Sequence, residues 1–403
     1  VDPADHQLSR RLRSLTVPRQ GKNQQKADAT IWEGRTHYGV RTFLIDQERY
    51  FSKDDPTAGD TTDVADRFAF FGRAIVEFCR TFSLPVDLLH LHDWYGALAP
   101  VYRDHYYEDE LGDIGIVLSM HDLSEQGEFP GDSFGLTGLP QSYNNQSELL
   151  HDDDVNYLKG GIRHADALTT ASPTYAEQLQ KPEHGQGLHT IFQERSDDLT
   201  GIPYGVDYGT WSPDVDTHIA VNYDVDDLNG KRRNKAELQH HFDLAIRPAV
   251  PLFGAVGPFK DRQGMNILLP ALEKWLHSQS KGRPSFQIVM SGSGDDAYEH
   301  RIRQLAKDYP EQVGAYIGDS IPMRHHMFAG CDGIVVPHVT EPCGLTQLQA
   351  MRYGTLPIAH ATGGLADTVI DINNEAGGAT GFLFDRYDTD ALLGRLKDAV
   401  DRY

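Results

Sequence analysis

The stretch GIVVPHVTEPCGLTQLQAMRYGTLPIAHATGGLADT, running from Gly333 to Thr368, decides the fold. Gly333 to Pro337 is a short apolar run of the kind found in a parallel strand covered on both faces. Glu341 follows on the loop at the strand's carboxyl end, where open α/β sheets place their ligands. Gly344-Leu345-Thr346 then opens a helix, whose first backbone N–H groups lack intrahelical partners and can receive a phosphate. A second strand, Thr355 to His360, ends in Thr362-Gly363-Gly364, where bare backbone can approach a ligand. Strand, carboxylate, helix start, strand and glycine turn, in that order, point to a nucleotide-sugar site.

The same β/α alternation extends outward from this stretch. Upstream, Thr42 to Asp46 reads as a strand and Val64 to Thr81 as an amphipathic helix. Asp87 to His92 and Gly115 to His121 are compact apolar runs ending in polar clusters, as strands do at the ligand crevice of a doubly wound sheet. Tyr157 to Arg163 predicts a short helix. Ala167 to Ala171 predicts a strand leading into a helix at Ser172-Pro173-Thr174, with Ser172 as N-cap and Pro173 at the first helical position. Between Tyr208 and Arg247 the pattern turns polar and irregular. Pro251 to Val256, a helix from Gln263 to Ser278, and Phe286 to Met290 then restart the alternation. The expected class is α/β, with an N-terminal domain over 1–210, an interdomain connection over 211–247 and a C-terminal domain over 248–403. Residues 1–29 are polar enough to be expected disordered.

Fifty-nine acidic residues against 37 basic ones give this 403-residue chain a formal charge of −22. That balance argues against nucleic acid and anionic membranes as partners. The acidic residues are dispersed, so a solvated surface is a plainer reading than recognition of a cationic partner. No apolar run approaches the roughly 18 residues of a membrane span. The opening VDPADHQLSRRLRS has no apolar signal-peptide core. Cys79, Cys331 and Cys343 are too few and scattered for a disulfide framework, so a reducing cytoplasm is expected.

Glu341-Pro342-Cys343-Gly344-Leu345-Thr346-Gln347, Tyr353-Gly354-Thr355-Leu356-Pro357 and Thr362 to Val369 together closely resemble bacterial glycogen synthases and plant starch synthases. His90-Leu91-His92-Asp93-Trp94, His121 to Gly127, Ala165 to Ala176, Gly205-Val206-Asp207 with Trp211-Ser212-Pro213, and Asn234-Lys235 with Leu238-Gln239 agree in the family's order. The resemblance implies a GT-B glycosyltransferase, two Rossmann-like domains facing a central cleft. It implies a retaining transferase that moves glucose from ADP-glucose, or sometimes UDP-glucose, to the 4-hydroxyl end of an α-1,4-glucan such as glycogen. No metal and no cofactor are implied. Glu341 matches the carboxylate close to the transferred glucose, His121 the imidazole at the sugar and scissile phosphate, and Asp93 the polar residue on the acceptor side. Cys343, Gly344, Leu345 and Thr346 match the turn and helix start that hold the distal phosphate and sugar. Thr362, Gly363 and Gly364 match the turn near the nucleotide and sugar.

Each residue also has a plainer reading. Glu341 suits a helix-capping carboxylate, Cys343 a packed small residue, and His121 a core histidine at a strand end. His90 and His92 share one strand face, but two imidazoles are short of a metal site. His325 and His326 point to different helix faces and read as surface or structural residues. Ser291-Gly292-Ser293-Gly294 suits a simple strand-to-loop turn.

The departures from the family pattern are specific. Its S-R-L-x-x-Q-K-G motif, whose Arg and Lys grip the distal phosphate, corresponds here to Gly257-Pro258-Phe259-Lys260-Asp261-Arg262-Gln263-Gly264. Pro258 stands at the Arg position and Gln263 at the Lys position. Lys260 and Arg262 are the nearby cations, but they start from different backbone positions, and phosphate geometry is sensitive to such shifts. The family's Lys-Thr-Gly-Gly-Leu loop has no counterpart before Gly39, and the family's last helices are expected beyond Tyr403. Tyr204, Asp122 and Val339 replace Asn, Asn and Arg. Two alternatives to an active glucan synthase follow: a degenerate homologue that binds glucan or nucleotide without turnover, and a retaining transferase for another donor or acceptor.

Overall fold

The computed structural model describes residues 8–19, 26–36, 38–52, 55, 57–82, 85–279, 284–374 and 376–403. The chain divides into two compact units, residues 1–170 with 178–200 and residues 171–177 with 201–403.

In the first unit, β1 (Ser9–Pro18), β2 (Lys26–Arg35) and β3 (Arg41–Asp46) form an antiparallel sheet in that order. Leu15, Val17, Ala29 and Ile31 on its inner face pack with Tyr50 and with Phe70 and Ala74 of helix α1 (Thr61–Phe82). The disorder expected over 1–29 is therefore corrected for 9–18 and 26–29; residues 1–7 and 20–25 lie outside the described residues. The segment reads as polar because strand residues alternate between faces. Ser14, Thr16, Lys26 and Asp28 are exposed while their neighbours fill a core.

Strands β4 (Leu88–His92), β5 (Gly115–Met120), β6 (Ala167–Thr170) and β7 (Leu199–Gly201) form a second sheet in the order β7-β6-β5-β4. It is parallel across β4–β5 and β5–β6. The predicted helix at 157–163 runs over Tyr157–His164. Ser172 caps α2 (Pro173–Leu179) as expected, its Oγ accepting from the Tyr175 N–H at 2.9 Å.

In the second unit, β8 (Leu252–Val256), β9 (Gln287–Gly292), β10 (Val313–Ile317), β11 (Gly333–Val336), β12 (Leu356–His360) and β13 (Phe382–Phe384) form one parallel sheet. Its order is β10-β9-β8-β11-β12-β13. Apolar clusters cover both faces. Val335 joins Ile288, Leu268 and Ile358 on one side, and Ile334 and Val336 join Phe328 and Ala350 on the other. This two-sided burial is why β11 reads as an unbroken apolar run. The strand order reverses between β8 and β11, so the carboxyl ends of those two strands frame the crevice of a doubly wound sheet.

Residues 211–247, expected to be a connection, belong to the second unit. Leu238 of α3 (Asn229–His241) packs with Met323 and Met327 of α5, which runs over Ile321–Gly330 after α4 (Met265–Ser278). The polar residues that made the segment look like a linker have internal partners. Lys235 bonds to Asp332 at 2.6 Å, and Asp216 bonds to His325 at 2.8 Å.

Candidate functional site

Glu341 lies on the loop that leaves β11 and is half-buried. Its Oε1 accepts the Gly344 N–H at 2.8 Å, and its Oε2 accepts from His338 Nδ1 at 2.5 Å. Burial alone would raise its pKa, but the His338 bond and charge, with the Gly344 and Cys343 amides, hold it below the usual glutamate value. The helix-capping reading is therefore partly realised, since one oxygen does serve the start of α6 (Leu345–Arg352). The second oxygen serves a separate imidazole. Both oxygens being held, the carboxylate has a fixed orientation.

Gly344 adopts φ 75° at the N-cap of α6, a conformation that favours glycine. Cys343 is buried, and burial together with the Glu341 charge pushes its thiol up to about 12. It is thus uncharged at neutral pH and packs as a small residue. Leu345 is exposed at the first helical position and Thr346 is half-buried.

Thr362 to Gly364 was expected to bring bare backbone to a ligand. The structure spends both glycines on a neighbouring loop. A Cβ on Gly363 would lie 2.0 Å from the Glu341 carbonyl oxygen, and one on Gly364 1.9 Å from that of Cys343. The Gly364 N–H donates to the Glu341 carbonyl at 2.9 Å. Thr362 is buried beside them. The loops after β11 and β12 are thereby locked together.

The loop after β8 completes this edge. The Val339 N–H donates to the Arg262 carbonyl at 3.0 Å, and a Cβ on Gly264 would meet the Pro337 carbonyl at 2.1 Å. Residues 257–264 thus lie against residues 337–339, at the point where the strand order reverses. Pro258 and Lys260 are exposed and Arg262 and Gln263 half-buried. Gln263 Oε1 is buried without a hydrogen-bond partner among the described residues. Ser291 to Gly294 packs on this loop, with Gly257 and Phe259 N–H groups donating to Ser291 and Ser293 carbonyls. Its plainer reading as a strand-to-loop turn fits that packing.

Asp93 and His121 come together in the first unit, at the carboxyl ends of β4 and β5. Asp93 Oδ1 accepts the His121 N–H at 2.7 Å, and the Asp93 N–H donates to the Ser119 carbonyl at 2.8 Å. Asp93 has φ 53° and ψ −163°, a region almost reserved for glycine. The His121 ring lies 2.9 Å from His92, Nε2 to Nδ1, with the planes 8° apart. His90 turns to Ser119 Oγ at 2.6 Å. Among the described residues no group of three or more His, Cys, Asp or Glu is placed to hold a metal ion.

His325 is buried, stacked on Trp211 at 3.9 Å and bonded to Asp216, while His326 Nε2 bonds to the His218 carbonyl at 2.6 Å. Both are structural in these contacts.

Sequence reasoning passed over His338 and His360. His360 Nδ1 donates to the His338 carbonyl at 2.8 Å, so the two histidines and Glu341 form one chain of contacts. The only sequence signal was the spacing of His338 and Glu341. A spacing of three has no meaning on a loop whose path is unknown.

The starch synthase catalytic domain family matches residues 4–194, and the glycosyl transferases group 1 family matches residues 237–402. Glycogen synthase 1 of Geobacter sulfurreducens is 36% identical over 399 residues, 98% of this chain and 78% of that protein. The glycogen synthase of Thermodesulfovibrio yellowstonii is 36% identical over 372 residues, 90% of this chain and 71% of that protein. The catalytic domain of starch synthase IV from Arabidopsis thaliana, solved with ADP and acarbose, has a TM-score of 0.86 at 27% identity, over 98% of this chain and 81% of that one. A sucrose-phosphate synthase from Thermosynechococcus elongatus, at 19% identity and TM-score 0.56 over 92% of this chain and 76% of that one, shares the fold.

Proposed function

The chain belongs to the glycogen and starch synthase family of GT-B glycosyltransferases, and from that premise we propose that it moves glucose, with retention, from ADP-glucose to the 4-hydroxyl end of an α-1,4-glucan. The observation that carries this reading is Glu341, a carboxylate with both oxygens held, beside a helix start at the reversal point of the six-stranded sheet in the second unit. Similarity to glycogen synthases along 98% of the chain supports the glucan product. The ADP and acarbose of the starch synthase IV structure support an adenine nucleotide and an oligosaccharide as ligands.

The chemistry follows from where charge develops. Breaking the bond between glucose and diphosphate leaves positive charge at the anomeric carbon and negative charge on the leaving phosphate. A carboxylate whose orientation is already fixed stabilises the first without reorganising. The start of α6, at Gly344, Leu345 and Thr346, is assigned to the second, with Lys260 and Arg262 as the nearby cations. His121 is assigned to the sugar and scissile phosphate, Asp93 to the acceptor side, and Thr362 to Gly364 to the rigid seat of the loop that carries Glu341. No step calls for a metal or a cofactor. The three cysteines are unpaired and buried, which suits the cytoplasm as the setting.

A second reading, a homologue that binds glucan or nucleotide without turnover, is favoured by one observation. Pro258 and Gln263 offer no cation at the family's phosphate-gripping positions, and Gln263 leaves an amide oxygen without a partner among the described residues. Incorporation of labelled glucose from ADP-glucose into glycogen, against a Glu341→Ala control, decides between the two. Transfer above the control establishes the synthase; glycogen binding with transfer at the control level establishes the second reading. UDP-glucose run in parallel tests the choice of nucleotide.

A further inference from the structure

We infer that His338 is the positioning residue of the Glu341 carboxylate, fixing it through the Nδ1–H to Oε2 hydrogen bond while the Gly344 amide fixes the other oxygen. The inference rests on the assignment of Glu341 to the reacting sugar. An ionised carboxylate only accepts, so the shared proton belongs to His338 Nδ1. The backbone that carries this imidazole is itself held: the His338 carbonyl accepts the His360 Nδ1–H at 2.8 Å. The next residue is fixed by the Val339 N–H to the Arg262 carbonyl. His338 thus stands on a backbone pinned from β12 on one side and from the loop after β8 on the other. Its side-chain relative exposure is 15%, and that of Glu341 is 20%. The bond is sheltered, and a charge-assisted hydrogen bond in such a place is worth more than at an open surface.

The groups around Glu341 define what a titration there would report. Its own loop supplies His338 and the uncharged Cys343 thiol. The end of β12 supplies His360, and the loop after β8 supplies Arg262. The 363–368 turn supplies the Gly364 amide and Asp367, whose carboxylate bonds the Ser172 and Thr174 hydroxyls. His338 alone places a side-chain donor on the Glu341 carboxylate among the bonds described. It is therefore the residue whose loss would both free the carboxylate to rotate and let its proton affinity rise.

Asparagine makes a sharp control, because its side-chain amide sits the same number of bonds from the backbone as Nδ1. The test uses the full chain with His338→Ala and His338→Asn, and Glu341→Gln to assign the signal. Glu341 is titrated by carbon-13 NMR, and kcat and KM for ADP-glucose are measured from the lowest pH at which the protein stays folded up to about pH 9. His338→Ala should move the Glu341 midpoint upward and lower kcat about tenfold, with KM changed far less and the acid limb of kcat moved to higher pH. His338→Asn should restore most of kcat. An unchanged Glu341 midpoint in His338→Ala, with the pH profile of kcat unaltered, overturns the inference. A midpoint that moves in a protein without transfer leaves the positioning role standing and removes the synthase reading. Transfer with an unmoved midpoint and profile does the reverse.

Discussion

Gly363 has no room for a side chain because its α-carbon faces the carbonyl oxygen of Glu341, which a Cβ would approach to 2.0 Å. Its φ of 43° also lies in the left-handed region. Gly363→Ala therefore meets two costs at once, a strained backbone and a backbone clash that no rotamer relieves. Together they should destabilise the second unit by about 2–5 kcal/mol, seen as a lowered midpoint in thermal unfolding. A variant as stable as the parent that bound ADP-glucose more weakly would return this glycine to the ligand-approach role.

Asp93 offers a test of strain kept for function. Its backbone conformation costs about 1–3 kcal/mol in a non-glycine residue, while its Oδ1 ties down the His121 amide. Asp93→Gly removes the strain and the tie together, so its stability should stay within about 1 kcal/mol of the parent. Its transfer to glycogen should fall about tenfold, because one hydrogen bond to a charged group is lost. Asp93→Asn, which keeps an acceptor in place, should fall between. Unimpaired transfer by Asp93→Gly would mean that the strained aspartate serves neither acceptor nor His121.

Legibility in the sequence followed the physics of each element. β11 and β12 were readable because two-sided burial leaves an unbroken apolar signature. Ser172 and Pro173 were readable because a cap and a first-turn proline are local devices. The β1–β2 hairpin was not, since inward Leu15, Val17, Ala29 and Ile31 are diluted by exposed Ser14, Thr16, Lys26 and Asp28. Residues 211–247 looked like a linker because the charge partners of Lys235 and Asp216, Asp332 and His325, lie far along the chain. At the site, Glu341, Gly344 and the 362–364 turn were legible as motif residues. That Gly363 and Gly364 serve the neighbouring loop, and that His338 holds Glu341, depends on how two loops meet.

His164 gives a pH-dependent contribution in the first unit. It bonds Asp104 at 2.8 Å through Nδ1 and Glu148 at 3.0 Å through Nε2. Burial alone would lower its pKa, but the two carboxylates raise it above the usual histidine value. A raised folded-state pKa gives stability that is complete below the unfolded value, about 6.5, and lost as pH rises through the folded value. Asp104 runs the opposite way: burial would raise its pKa, yet His164 and Arg103 lower it, so its share is lost as pH falls through that lowered value. His164→Gln should thus cost about 1–3 kcal/mol near pH 6 and clearly less at pH 9, measured as midpoint differences in thermal unfolding. An equal cost at both pH values would refute the charged triad.

The cations after β8 carry the decision between a working synthase and a binding relic. Lys260 is exposed and Arg262 half-buried, on the loop that the Arg262 carbonyl joins to Val339. If they neutralise the leaving diphosphate, Lys260→Ala and Arg262→Ala should each cut kcat/KM for ADP-glucose at least tenfold, about the loss of one charge-assisted contact. Raising ionic strength should weaken the parent as well, because charges this accessible are screened. Pro258→Arg with Gln263→Lys would then add little, since the charge is already supplied. Were the double substitution instead to raise transfer severalfold while Lys260→Ala and Arg262→Ala changed nothing, the missing cations would be the reason for a weak or silent enzyme. Gln263→Lys has a further consequence in either case: it removes the amide oxygen left without a partner among the described residues. It should therefore not destabilise the second unit, and a large drop in its unfolding midpoint would show that this position has no room for a phosphate-binding lysine.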